Sequence, residues 1–206
     1  MTIQSIHGRV GLRALLAAAF LLLAGEVSGQ QSPEEVVRAR NEAVRQALER
    51  AGKPVPDPVR EELKDVINGL IDFQELSRRA LRRHWDARTP EEKAEFVEVF
   101  RELVRNSSVQ KLEVYEADSI VYRPAETQGN RSRVVTIAHE DGANVEIVYL
   151  LHRVDGEWLA YDVVVDGSST LRTYQDSFQR EIQATSYEAM FRRMVERLER
   201  DRRPGN

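Results

Sequence analysis

The sequence contains no cysteine. That excludes disulfides, thiolate nucleophiles, Cys-ligated zinc and the lipid-modified cysteine of an exported lipoprotein, so stability rests on packing alone. Histidine is scarce, and there is no His-Glu-x-x-His, no phosphate-binding glycine loop, no Gly-x-Ser-x-Gly and no clustered metal ligands. No cofactor or metal is implied. A membrane-spanning run of ~20 apolar residues is also missing. The apolar stretch from Leu15 to Ala24 is about half that length. It follows Arg9 and Arg13 and leads into small residues up to Gly29, the layout of a secretory signal peptide. Val27 and Gly29 suit the positions before a cut. The expected organisation is therefore a signal peptide over 1–29, one domain over 30–201 beginning at Gln30, and a disordered tail over 202–206. An uncleaved anchor is the competing reading of the leader.

Excess positive charge is absent too. Without Arg9, Arg13 and Glu26 the mature chain carries 28 basic and 33 acidic residues, a net charge of −5, which argues against nucleic acid as a partner. The Arg-dense stretch from Arg192 to Arg203 is interleaved with Glu196, Glu199 and Asp201, the pattern of a solvated helix face.

What is present is an ordered series of helix and strand signals. Ser32-Pro33-Glu34-Glu35 is a capping box, followed by Val37, Val44 and Leu48 at helical spacing until Ala51-Gly52. Pro54, Pro56 and Pro58 form a stiff joint. A second helix carries Leu63, Ile67 and Leu70, and a third opens at Asp72, with Glu75 reaching back to cap it, and ends near Trp85. Thr89-Pro90-Glu91-Glu92 starts the longest helix, with Phe96, Phe100, Leu103 and Val104 on one face.

From Leu112 the pattern turns to strands, at 113–123, 131–139, 143–154 and 157–165. Gly129-Asn130, Asp141-Gly142 and Asp155-Gly156 separate them as tight turns. The expected fold is α+β: a four-stranded antiparallel meander with a final helix after Thr185. Alternation in the last two strands is incomplete, since Val148 and Leu150 oppose the row Val145, Ile147, Tyr149 and Leu151. Likewise Trp158, Ala160 and Val164 oppose Leu159, Tyr161, Val163 and Val165, with Asp162 interrupting. Both faces call for cover, and periodicity does not distinguish a filled core from a cavity.

Two blocks carry a family resemblance. The first is Ile71-Asp72-Phe73 with Leu81, His84-Trp85, Thr89-Pro90-Glu91, Phe96, Phe100 and Leu103. The second is Asp155-Gly156-Glu157-Trp158, then Tyr161 to Gly167, then Tyr174 and Phe178. In order and spacing they resemble the MlaC family of periplasmic phospholipid-binding proteins, the toluene-tolerance type, which serve an ABC transport system. Two departures stand out: members often have Gly where Arg82 stands, and a Tyr in the stretch held by Asn106-Ser107-Ser108. The resemblance implies a twisted antiparallel sheet with helices packed over its concave face, opening onto a deep apolar pocket for acyl chains. The residues assigned to it are Val97, Phe100 and Val104 on the long helix, facing Val135, Ile137, Ile147, Tyr149, Tyr161 and Val163. It further implies a monomeric periplasmic carrier that moves phospholipid between outer and inner membranes, sustaining outer-membrane lipid asymmetry. Its implied partners are an inner-membrane ABC transporter complex with its lipid-binding domain protein, and an outer-membrane lipoprotein–porin complex.

Few residues suggest catalysis, and the chain is read as a non-enzyme. His84, beside a helix end, suits capping of the last carbonyls. His139 and His152 fall near strand ends and are expected to be exposed. Asp162, in an apolar strand, needs a partner, and a nearby Arg is the expected one. Two alternatives to the carrier stay open: an enzyme on a cone-shaped fold of the ketosteroid isomerase kind with Asp162 as general base, and a ligand-free protein-binding adaptor with a packed interior.

Overall fold

The computed structural model describes residues 31–52, 54–108, 119–140 and 142–201. The expected leader, Gln30 and the tail 202–206 lie outside these residues, as do the first part of the expected strand 113–123 and Asp141 of the expected turn.

Helix α1 (Pro33–Ala51) opens with the capping box that the sequence announces: Ser32 Oγ accepts the Glu35 N–H at 3.2 Å, and the Glu35 carboxylate accepts the Ser32 N–H at 2.7 Å. It buries Val37, Asn41, Val44, Ala47 and Leu48 along one face and stops at Gly52, where φ is 68°. Helix α2 (Asp57–Asn68) packs on α1 and ends two residues before Leu70. Residues 70–72 then run beside a strand, the Asp72 N–H donating to the Ala160 carbonyl at 2.9 Å and the Ala160 N–H to the Leu70 carbonyl at 2.7 Å.

Asp72 caps α3 (Phe73–Leu81) by accepting the Glu75 N–H at 2.9 Å. Glu75 does not reach back to complete a box. Its carboxylate turns forward to Arg78 and Arg79, which hold its pKa down at about 2. The expected run to Trp85 is broken at Arg82, whose φ of 52° separates α3 from a one-turn α4 (Arg83–Asp86). Helix α5 (Pro90–Ser108) starts at the Thr89–Glu92 box.

Among the described residues the sheet contains six strands rather than four. β1 (Ser119–Tyr122) and β2 (Glu126–Gln128) both pair with β3 (Arg131–Glu140). They form one line broken near Pro124, which lacks the N–H a ladder needs. β4 (Ala143–Val154), β5 (Glu157–Val165) and a two-residue β6 (Ser168–Ser169) continue the antiparallel order. Asp155-Gly156 and Asp166-Gly167 both take positive φ at each turn residue, as two-residue hairpins of the right twist require.

Two helices follow, not one. Helix α6 (Thr170–Ala184), which the expected elements do not include, precedes α7 (Tyr187–Asp201). The expected charged face on α7 is present: Arg193 pairs with Glu181 of α6, and Arg197 with Asp201.

A bulge explains the incomplete alternation of β5. Leu151 pairs with Ala160 but Leu150 pairs with Asp162, so Tyr161 is the extra residue. Before it, Trp158 and Ala160 join the buried row. After it, Val163 and Val165 do, opposite Tyr149 and Ile147. The apolar residues on both parities of β5 therefore serve largely one face.

Candidate functional site

Among the described residues the buried apolar side chains fall into separate clusters, where a single domain ordinarily has one contiguous core. One joins the helices α3 to α7 around an aromatic group: Phe100 packs edge-on against Phe178 and Tyr174, with ring centroids 5.4 and 4.8 Å apart. A second lies between the sheet and α1, with Val37, Leu70, Val134, Ile147, Tyr149 and Leu151. A smaller third joins α1 to α2.

Between the first two lies a cavity of about 310 Å³. The helix cluster contributes Leu76 and Val104; the sheet cluster contributes Leu70, Ile147, Tyr149 and Ala160. Ile67, Ile71, Tyr161, Val163, Val165 and Tyr174 complete the apolar wall. Polar groups punctuate it at Arg40 and Asn41 on α1, Asn68 at the end of α2, Ser107 and Ser108 at the end of α5, and Ser168, Thr170 and Thr173 where α6 begins. The lining is a hydrophobic slot with hydrogen-bonding groups near the ends of elements, suited to an aliphatic ligand with a polar end.

Of the residues expected to line a pocket, Val104, Ile147, Tyr149, Tyr161 and Val163 stand around this cavity. Val97 and Phe100 do not. They belong to the helix cluster, where the Phe178 and Tyr174 rings occupy the space beside Phe100. Val135 and Ile137 are also displaced, and the cause is register: Val135 pairs with Val148 and Ile137 with Glu146, on the sheet face opposite Ile147 and Tyr149. On the face shared with Ile147 and Tyr149, β3 instead carries Val134 and Thr136, both fully buried and outside the cavity lining. Leu70, Ile71 and Leu76, on either side of the Asp72 cap, line the cavity without having been among the expected pocket residues. So do the residues that start α6.

Asp162 is 6% exposed and its partner is not an arginine. Its carboxylate accepts the Ser169 hydroxyl at 2.6 Å and the Leu171 N–H at 2.9 Å, so it satisfies the first turn of α6 and fastens that helix to β5. His152 is half-buried rather than exposed, its Nε2 lying 3.0 Å from Asp72 and its ring edge-on to Tyr161. The Arg79 guanidinium lies over the other partner of this group, 4.0 Å from the Tyr161 ring centroid, while Glu75 holds its Nε at 2.7 Å. The start of α3 is thereby tied to a wall of the cavity. His139 is half-buried and bonds Asn144 across the hairpin. His84 caps no carbonyl through Nε2, which is buried without a partner among the described residues.

With this geometry in view, comparison with known proteins is specific. The MlaC protein family matches residues 38–196. The toluene tolerance protein ttg2D of Pseudomonas putida is 26% identical over 176 residues, spanning 82% of this chain and 80% of that relative. A phospholipid-binding protein from Ralstonia solanacearum, solved in complex with a phospholipid, superposes with a TM-score of 0.73 at 19% identity, covering 84% of this chain and all of its own. That superposition establishes a shared fold. Among the described residues no helix is long and apolar enough to cross a membrane.

Proposed function

The chain belongs to the MlaC family, and from that premise we propose that it is a phospholipid carrier, holding acyl chains in the cavity between sheet and helices. The observation that supports this reading most is the gap itself. Leu76 and Val104 face Leu70, Ile147, Tyr149 and Ala160 across empty space, where side chains of this kind would otherwise close into one core. The Ralstonia protein of the same fold was solved with a phospholipid.

Exposing two acyl chains of some ~30 methylenes to water costs on the order of 20 kcal/mol, so a carrier must enclose most of both. The cavity of about 310 Å³ between sheet and helices is the place where such enclosure begins. The headgroup stays at the mouth, where its charge keeps water.

In the cell the carrier acts in the periplasm, exported by the leader 1–29. It shuttles lipid between the outer-membrane lipoprotein–porin complex and the inner-membrane ABC transporter with its lipid-binding domain protein, and so sustains outer-membrane asymmetry. Tight enclosure makes spontaneous release slow, so these partners open the pocket or offer a competing one. The enzyme reading loses its proposed base, since the Asp162 oxygens are engaged in fastening α6. The test is transfer of fluorescent phospholipid from donor vesicles to acceptor vesicles held apart by a dialysis membrane that passes the protein. Transfer proportional to protein concentration is expected, and no transfer above the buffer rate contradicts the reading.

A further inference from the structure

Among the described residues, the apolar wall of the cavity is held by packing everywhere except at Tyr161. Each other apolar residue of the lining belongs to, or packs against, one of the three apolar clusters, and Tyr161 belongs to none. It is also the extra residue of the bulge, with no partner across the ladder. What holds its ring is polar. The Arg79 guanidinium lies over it, 4.0 Å from the ring centroid, and the His152 ring stands edge-on to it with centroids 5.6 Å apart. Both holders are anchored to acids at the start of α3: Glu75 accepts the Arg79 Nε–H at 2.7 Å, and Asp72 lies 3.0 Å from His152 Nε2. The Arg79 and His152 side chains are 25% and 19% exposed, and Tyr161 is itself half-buried. One aromatic ring therefore stands between the apolar space and groups that reach solvent.

We propose that Tyr161 is the gate of the cavity, a ring that Arg79 and His152 hold shut and that swings aside between α3 and β5 when an acyl chain enters or leaves. A side chain fixed in a packed core is costly to displace, because it forfeits contacts on all sides. A ring held by one cation–π contact and one ring-edge contact at a partly exposed site forfeits far less. Arg79 and His152 do not line the cavity, so they are positioning residues that act through Tyr161. The gate rests on the reading of the cavity as a lipid site and says where anything that loads or unloads the carrier must act.

The experiment follows a pyrene-labelled phosphatidylglycerol carried in phosphatidylcholine vesicles. It measures the rate of uptake by the full chain, the rate of release to unlabelled vesicles, and the equilibrium partition between protein and vesicle. Arg79→Ala and His152→Ala should each speed uptake and release alike, by about fivefold, the rate equivalent of one such contact, and leave the partition unchanged. Equal acceleration in both directions marks a lowered barrier, whereas a damaged binding site would weaken the partition. Tyr161→Phe keeps the ring and should exchange lipid as the wild type does. Either alanine variant that folds decides the test. The proposal is overturned if such a variant exchanges at the wild-type rates, if it speeds release alone and shifts the partition, or if Tyr161→Phe exchanges as fast as it does; in each case the carrier reading stands. A wild type that takes up no labelled lipid defeats that reading and the gate with it.

Discussion

At Arg82 the backbone takes φ 52° and ψ −128°, the conformation of the first central residue of a type II′ turn, which glycine occupies without strain and a side chain does not. The family resemblance had marked this position as one where Gly is common, and the break between α3 and α4 supplies the physical reason. Relief of the strain, offset by the extra entropy of an unfolded glycine, amounts to about 1 kcal/mol. Arg82→Gly should therefore raise the melting temperature by ~2–4 °C. Calorimetry checks this, and a lower melting temperature would show that the Arg82 side chain contributes more than its backbone costs. Asp162 teaches the complementary lesson. Its position inside an apolar strand revealed that a partner was needed, but the partners are a hydroxyl and a backbone N–H brought back by the hairpin at Asp166-Gly167. No spacing rule for ion pairs points to a backbone donor.

Elements were legible where their signals are local. Capping boxes at Ser32 and Thr89 and the Asp155-Gly156 turn appear where the sequence places them. The pairing of faces was less so, although one consequence was available. A two-residue turn between Glu140 and Ala143 must pair odd-numbered residues of β4 with even-numbered residues of β3, which seats Val134 and Thr136, not Val135 and Ile137, beside Tyr149 and Ile147. The bulge at Tyr161 was not derivable in this way, because it leaves no mark except apolar residues of both parities. Helix α6 was overlooked although Leu171, Tyr174, Phe178 and Ile182 recur at helical spacing.

Helix α3 also carries a pH dependence. Arg78 and Arg79 depress the Glu75 pKa from 4.5 to about 2. A carboxylate whose folded pKa is lowered stabilises the fold fully above its unfolded value and loses that contribution as pH falls towards the folded one. The stability difference between wild type and Glu75→Gln should thus be constant above about pH 5 and shrink between pH 4.5 and 2. Urea unfolding across that range measures it, and a gap that does not change with pH would show that the ion pairs lend no net stability.

On the scale of the whole molecule, a sheet layer and a helix layer are joined at their margins and separated in the middle. The margins are specific: residues 70–72 zip onto Ala160, Asp162 fastens α6, and the Arg79–Tyr161 and Asp72–His152 contacts tie α3 to the sheet. Caps, spacing and turn signals foretold an α+β fold, but no periodicity can tell a row of apolar residues that touches its partner from one that stops short of it. The account is tested most directly by native mass spectrometry of the chain after incubation with phospholipid vesicles, comparing wild type, Ile147→Trp and Val135→Trp. Ile147 faces the cavity and Val135 lies on the opposite side of the same sheet. A mass increment of one phospholipid is predicted for wild type and for Val135→Trp and should be lost in Ile147→Trp. A wild type that stays empty, or an increment that survives in folded Ile147→Trp, would contradict the claim that acyl chains lie between these two layers.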